Sequence, residues 1–325
     1  MKNQKSIGVL TSGGDSPGMN ATLRAVVRTG IYSGNKIFGI KNGYQGMIDG
    51  DIEELNLSSV SNIIKHGGTF LKTSRCEGFY LSEGRKKAYE NIAKYGIESL
   101  IIIGGDGSFR GLHIFATEFS IQCVGIPATI DNDLYGTDYT IGFDTSVNTA
   151  LEAIDKIRDT ATSHSRLFII EVMGRNSGYI GLYTGIGGGA EEILIPETVS
   201  DIEQLCKKLE AGRQRGKKSS IIVVAEGDKM GSAYDIKAKL EQLDSWDIKV
   251  SVLGHQQRGG SPTALDRILA SRLGYEAILA IMKGENDKMV GMVNNTVVLT
   301  PLEETWKKKK AIDREYITMA EILAI

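Results

Sequence analysis

The chain has 325 residues, 41% hydrophobic and 24% charged, with a formal net charge of −2 at pH 7. That length suits two domains or one large α/β unit. So even a charge balance excludes a global attraction to nucleic acid or an acidic membrane surface, and positive charge for phosphate must be concentrated locally. Cys76, Cys123 and Cys206 stand far apart without metal-ligand spacing, and there is no signal-like or ~20-residue apolar run, so a cytoplasmic, non-membrane protein in a reducing compartment is expected.

Residues 6–10 read as a first strand, followed by a glycine-rich turn at 11–20 and a helix with Met19, Leu23, Val26 and Val27 on one face. Strand, glycine turn and helix together aim backbone N–H groups at phosphate, although this turn is neither a P-loop nor a GxGxxG. Arg24 and Arg28 lie one turn apart on the other face, as a solvated face or a second anion site. A second strand is expected at 36–40, a polar loop at 67–76 and a helix at 83–95. The most apolar run, 99–103, predicts a central parallel strand. It ends in GGDGS at 104–108, with a helix expected from Phe109; Asp106 there suits either a helix N-cap or Mg²⁺, which takes few carboxylates and completes its shell with phosphates and water.

Residues 121–126 form a β-branched strand pattern that Pro127 stops, because proline has no N–H for the ladder. The turn after it holds Thr129, Ile130, Asp131, Asn132 and Asp133. Such a turn is either a local Asx structure or, at the carboxyl end of a strand in an open α/β sheet, a place for chemistry. The pattern then repeats: a helix at 145–158, a polar loop at 162–166, a strand at 167–172 and a glycine turn at 173–178. Strands at 220–225 and 249–253 end in Glu226 and in GHQQRGG at 254–260, with helices at 201–211, 233–243 and 263–282, short strands near 290–299 and a helical tail. The βαβ alternation predicts doubly wound, mostly parallel sheets. His255 suits a packed surface histidine; Arg258, beside two glycines, suits a ligand contact. Two glycine turns for phosphates, Asp106 for a metal, Asp131 for a base and Arg166, Arg175 and Arg258 for phosphate charge make the set that phosphoryl transfer needs.

The motifs LTSGGD at 10–15, PGMN at 17–20, GGTF at 67–70, GGDGS at 104–108, TIDND at 129–133, GTDYTIGF at 136–143, EVMGR at 171–175, LGH at 253–255 and QRGGSP at 257–262, in this order, resemble the bacterial-type ATP-dependent 6-phosphofructokinases nearly end to end. The resemblance implies two Rossmann-like, three-layer α/β/α domains, with the active site in the cleft between them. A larger ATP-binding domain is expected over 1–142 and 257–305, and a smaller sugar-phosphate domain over 143–256 and 306–325. It implies transfer of the γ-phosphoryl of MgATP to fructose 6-phosphate, the committed step of glycolysis. Asp131 would be the base with Thr129 and Asp133 as its neighbours, Arg175 would stabilise the transferring group and Asp106 would hold Mg²⁺.

By the same resemblance, ATP would meet Gly14, Arg75, Cys76, Gly105, Asp106, Gly107 and Ser108. The sugar phosphate would meet Thr129, Ile130, Asp131, Met173, Gly174, Arg175 and Glu226, then His255, Gln256, Gln257 and Arg258. Arg166 and Lys249 would come from a neighbouring subunit of a homotetramer. A separate effector site for ADP or GDP and phosphoenolpyruvate would use Arg24, Ala25, Val26, Val27 and Arg28. Arg158, Gly189, Ala190, Glu191, Arg215, Lys217, Lys218 and Ser219 would complete it. Three positions depart from the family pattern: Lys249 stands where Arg is usual, Leu57 where well-regulated members have an effector-site Arg, and Ala128 where ATP enzymes usually have Gly. Pyrophosphate-dependent relatives carry Lys at the position of Ala128 and Asp at that of Gly107, so Gly107 leaves ATP as the expected donor. The alternatives are a pyrophosphate enzyme or a silent metabolite-sensing homologue.

Overall fold

The computed structural model describes residues 4–164, 166–217 and 219–324. The chain runs β1 (Ser6–Thr11), α1 (Met19–Tyr32), β2 (Lys36–Ile40), α2 (Gly43–Asp49), β3 (Ile52–Leu55), α3 (Ser82–Lys94), β4 (Ser99–Gly104), α4 (Asp106–Phe119) and β5 (Gln122–Pro127). Then come α5 (Phe143–His164), β6 (Leu167–Val172), α6 (Tyr179–Gly187), β7 (Glu192–Leu194), α7 (Ile202–Gln214), β8 (Ser220–Ala225), α8 (Ala233–Leu243) and β9 (Ile248–Val252). It closes with α9 (Ala264–Lys283), β10 (Lys288–Val293), β11 (Thr296–Pro301), α10 (Glu304–Lys307) and α11 (Arg314–Leu323).

These elements divide into two compact units: Met1–Thr129, Leu134–Asp144 and Arg258–Lys310 form the first, and Ile130–Asp133, Thr145–Gln257 and Ala311–Ile325 the second. Asp131 therefore groups with the second unit.

Among the described residues, the first unit is built on a seven-stranded sheet in the order β11-β10-β5-β4-β1-β2-β3. Its inner pairings are parallel, and β3 and β11 pair antiparallel at the two edges. β4 is buried along its whole length, as a strand covered on both faces must be. Its side chains alternate: Ile101 and Ile103 join the α1 and α9 residues Leu23, Val26, Leu273 and Ile278, while Leu100 and Ile102 join Met47, Ile92, Phe109 and Phe115 of α2, α3 and α4. The layers are thus α1/α9, sheet and α2/α3/α4. Gly274 sets the closeness of α9 to α1, because a Cβ there would come within 2.7 Å of the Ala25 Cβ and 2.8 Å of the Thr22 carbonyl.

The second unit holds a parallel sheet ordered β7-β8-β6-β9. Leu167, Ile169, Ile222 and Val224 pack against Leu205, Leu209, Ile236 and Leu240 of α7 and α8. α6 covers the other face, with Gly181 against Ala225.

Three expected boundaries move by three residues or more, one of them the end of α7, at Gln214 and not 211. The helix expected from Phe109 begins at Asp106, so residues 106–108 are helical and not a turn. The helix expected to stop at 158 continues to His164, replacing most of the loop expected at 162–166, because Ala161 is fully buried and holds the added turns against the core. No helix among the described residues is long and apolar enough to cross a membrane.

Candidate active site

In the first unit, polar residues gather past the carboxyl ends of β1 and β4. The Ser12 N–H donates to the Ile103 carbonyl at 3.0 Å, tying the turn after β1 to β4. Ser108 donates its hydroxyl to Ser12 Oγ at 2.9 Å, and Tyr44 donates its hydroxyl to the Ser108 carbonyl at 2.5 Å. Burial pushes the Tyr44 phenol well above its ordinary range. Since Gly105 is the N-cap of α4, Asp106, Gly107 and Ser108 form its first turn, where backbone N–H groups lack intrahelical partners and favour anions. Gly104 lies too close for any side chain, as a Cβ would be 2.5 Å from the Ser12 carbonyl. Asp106 and Gly107 are exposed, and a Cβ on Gly107 meets nothing within 4 Å. No cluster of three or more His, Cys, Asp or Glu ligands occurs among the described residues. A single exposed carboxylate fits Mg²⁺, which keeps most of its shell as water and substrate phosphate.

The loop at 66–76 is moored to this turn. Asn20 donates to the carbonyls of His66 (3.0 Å) and Gly67 (3.2 Å) and accepts the Phe70 N–H at 2.6 Å. Thr11 donates to the Lys72 carbonyl at 2.9 Å and Thr73 to the Gly13 carbonyl at 2.9 Å. The loop carries Arg75, exposed, and Cys76, half-buried, whose thiol burial pushes up. Arg258 also lies here: Nη1 donates to the Asp15 carbonyl at 3.2 Å, and a Cβ on Gly14 would be 2.6 Å from that nitrogen. Sequence reasoning had put Gly14 and Arg258 in different sites. Thr129 accepts at its carbonyl from Thr140 Oγ1 at 2.6 Å.

In the second unit, Asp131 and Arg175 are brought together. Arg175 Nε stands 3.8 Å from Asp131 Oδ2, with side-chain exposures of 66% and 5%. Asp133 is exposed, while Ile130 is buried in the core and offers only backbone. The turn after β6 holds Met173 and Gly174, both buried, and Arg175, which is left-handed with φ 53°. Glu226, at the end of β8, accepts the Arg175 N–H at 2.7 Å. Ser177 donates its hydroxyl to the Asp131 carbonyl at 2.8 Å. Gln257 is fully buried; it accepts the Met173 N–H at 2.8 Å and donates to Ser146 Oγ at 3.3 Å, so its amide is spent on holding the turn. His255 and Gln256 are exposed after β9.

Arg166 and Lys249 lie apart from these residues, towards the start of β6 and β9, where Asp247 binds both at 2.8 Å. Those two hydrogen bonds hold the Asp247 carboxyl below its ordinary range. Ser177, Gly227, Asp247 and Asn20 were not singled out as candidates from the sequence. Asn20 and Ser177 stood inside quoted motifs or turns, but nothing in their residue type marked them.

The effector candidates fall in two places. On α1, Arg24 is half-buried and Arg28 exposed, while Ala25, Val26 and Val27 face the core. In the second unit, Arg158 donates to the carbonyls of Gly188 (2.5 Å) and Gly189 (2.8 Å), and Lys217 pairs with the buried Glu191 at 3.1 Å, whose carboxylate also accepts the Ile221 N–H. Ala190 is buried, Arg215 is exposed, Ser219 is half-buried and Lys218 lies outside the described residues.

Parallel sheets with glycine turns, an exposed carboxylate at a helix start, and a buried carboxylate beside an arginine define an α/β phosphotransferase. The Phosphofructokinase family profile matches residues 6–281. An ATP-dependent 6-phosphofructokinase of Thermoanaerobacter sp. (strain X514) is 51% identical over 99% of this chain and 100% of its own length. ATP-dependent 6-phosphofructokinase 1 of Thermus thermophilus is 54% identical over the same shares. Among solved structures, phosphofructokinase from Saccharomyces cerevisiae superposes with a TM-score of 0.91 at 36% identity, over 99% of this chain and 48% of that one. The chain belongs to the phosphofructokinase family.

Proposed function

We infer that this chain is an ATP-dependent 6-phosphofructokinase, which transfers the γ-phosphoryl of MgATP to the 1-hydroxyl of fructose 6-phosphate and yields fructose 1,6-bisphosphate and ADP in glycolysis. The observation that carries the chemistry is the buried Asp131 carboxylate with the Arg175 guanidinium 3.8 Å away. Asp131 takes the proton of the 1-hydroxyl as its oxygen forms the new bond to phosphorus and the bond to ADP breaks. Arg175 meets the charge on the transferring group, and its exposure leaves it free to reach it. The first turn of α4 and the Gly13–Gly14 turn offer N–H groups to the nucleotide phosphates, with Arg258 and the 66–76 loop beside them. Asp106 would hold Mg²⁺, which when bound neutralises charge on the phosphate oxygens.

The finer reading follows the family. Arg166 and Lys249 bind the sugar phosphate of a neighbouring subunit in a cytoplasmic homotetramer, and the Arg158–Glu191–Lys217 region with Arg24 and Arg28 binds ADP or phosphoenolpyruvate. Leu57 is half exposed where a regulated enzyme has a cation, so effector control is expected to be weak. The open space at Gly107 accommodates the nucleotide beyond its β-phosphate.

The test is coupled turnover of fructose 6-phosphate with MgATP and then with Mg-pyrophosphate, each with and without ADP and phosphoenolpyruvate. Turnover with ATP alone is expected, with little shift of the substrate curve by either effector. Turnover with pyrophosphate alone, or with neither donor, would overturn the reading.

A further inference from the structure

Arg175 is one of the few non-glycine residues held at positive φ, and its side chain is mostly exposed, so its aim is set by its backbone. Three contacts fix that backbone. Glu226 accepts the Arg175 N–H at 2.7 Å. Gly227, next in sequence, lies so close beneath the Arg175 carbonyl that a Cβ there would be 1.7 Å from its oxygen and 2.8 Å from its carbon. Both obstructing atoms are main chain, so a side chain at 227 must displace the Arg175 peptide. Ser177 closes the turn, its N–H donating to the Gly174 carbonyl at 2.9 Å, while its buried hydroxyl reaches the Asp131 carbonyl at 2.8 Å. The turn bearing the arginine is thus tied to the segment bearing the carboxylate, although the two are far apart in sequence.

We propose that Gly227 and Ser177 are positioning residues for phosphoryl transfer: Gly227 by leaving room for the Arg175 carbonyl, and Ser177 by tethering the arginine turn to the Asp131 main chain. The proposal rests on the reading of Asp131 as base and Arg175 as charge stabiliser. Neither residue touches substrate; both act through the 3.8 Å separation of Arg175 Nε and Asp131 Oδ2. A displacement of about 1 Å at a reacting centre is costly, because transition-state stabilisation falls off steeply with misplacement.

The experiment is a pair of double-mutant cycles in the full-length enzyme, Gly227→Ala and Ser177→Ala, each with and without Arg175→Ala, read as kcat, half-saturation for each substrate and melting temperature. With Arg175 present, Gly227→Ala is expected to lower kcat about tenfold or more and Ser177→Ala about fivefold. Half-saturation for ATP should stay within about twofold. In the Arg175→Ala background each substitution should cost less than about twofold more. Equal losses in both backgrounds, or no loss in either, would overturn the proposal. If Gly227→Ala does not fold, Ser177→Ala, which intrudes on nothing, decides the matter alone. The underlying reading fails separately: Arg175→Ala with undiminished kcat removes both, whereas a crippled Arg175→Ala with additive cycles removes only the positioning roles.

Discussion

The Asp131 side chain is 5% exposed, and in the proposed role it acts in the transition state, taking the hydroxyl proton as the new O–P bond forms. Asp131→Asn keeps the shape and removes the proposed base. Its kcat is expected to fall about 10²–10⁴-fold, with half-saturation for either substrate moving less than about threefold. Steady-state kinetics separate the cases: a large rise in half-saturation at undiminished kcat would make Asp131 a binding residue only. At this scale the sequence was legible where chemistry selects a residue type. An acid past a strand end, or an arginine in a glycine turn, stands out from composition alone. Gly227 and Ser177 carry no such mark, since one acts by lacking a Cβ and the other through a bond to a residue distant in sequence. Asp247 was hidden for the same reason; its pairing with Arg166, 81 residues away, depends on β6 and β9 lying side by side.

The loop at 66–76 has few side chains of its own in a core, apart from the fully buried Leu71, and it is held largely by hydrogen bonds from α1 and β1. Asn20 alone supplies two donors and one acceptor to it. Asn20→Ala is expected to lower stability by about 2 kcal/mol, the net worth of two or three such bonds. It should also raise half-saturation for ATP more than that for fructose 6-phosphate, because the loop carries the proposed ATP contacts Arg75 and Cys76. Urea titration with limited proteolysis of the loop would check it; unchanged cleavage there would mean the other ties suffice. The regular elements were largely readable from period and apolar runs; the short strands β3 and β7 were not singled out, being too brief to show a period, and the two missed helices share a different cause. α2 and α6 are glycine-rich and were missed: a Cβ on Gly46 would be 1.6 Å from the Lys41 carbonyl, and one on Gly185 would be 2.4 Å from the Ile193 side chain. Close packing demanded glycine where helix propensity disfavours it, so local preference pointed the wrong way. The start of α4 was misplaced likewise, its Gly-Asp-Gly-Ser opening having the composition of a turn.

For the whole molecule, the alternation of strands and helices conveyed the parallel sheets, but not that Ile130–Asp133 groups with the second unit, since membership depends on contacts far apart in sequence. The first unit responds to pH in a way that solution measurements can reach. Burial holds the protons of two weak acids there: Cys123, fully inaccessible, whose thiol it pushes up to about 12, and Tyr44, pushed well above its ordinary range. In the unfolded chain the thiol ionises near pH ~8.5 and the phenol near ~10. Above about pH 8.5 the folded state therefore holds more protons than the unfolded state, and stability must fall as pH rises. Below that value the contribution is fully present, and it is lost progressively as pH climbs towards the folded value of about 12. From about pH 8.5 to 10 the loss from Cys123 alone is expected to approach about 2 kcal/mol. Each unit has its own reporter, since Trp306 lies in the first and Trp246 in the second, and a Trp246→Phe variant isolates the former. The urea midpoint followed by Trp306 should drop across that range. In Cys123→Ala it should start lower, because a cavity is left in the core, and then decline less steeply up to about pH 10. A Trp306 midpoint that holds constant from about pH 8.5 to 10 would mean that the thiol ionises in place, and that β5 opens to water without the unit unfolding.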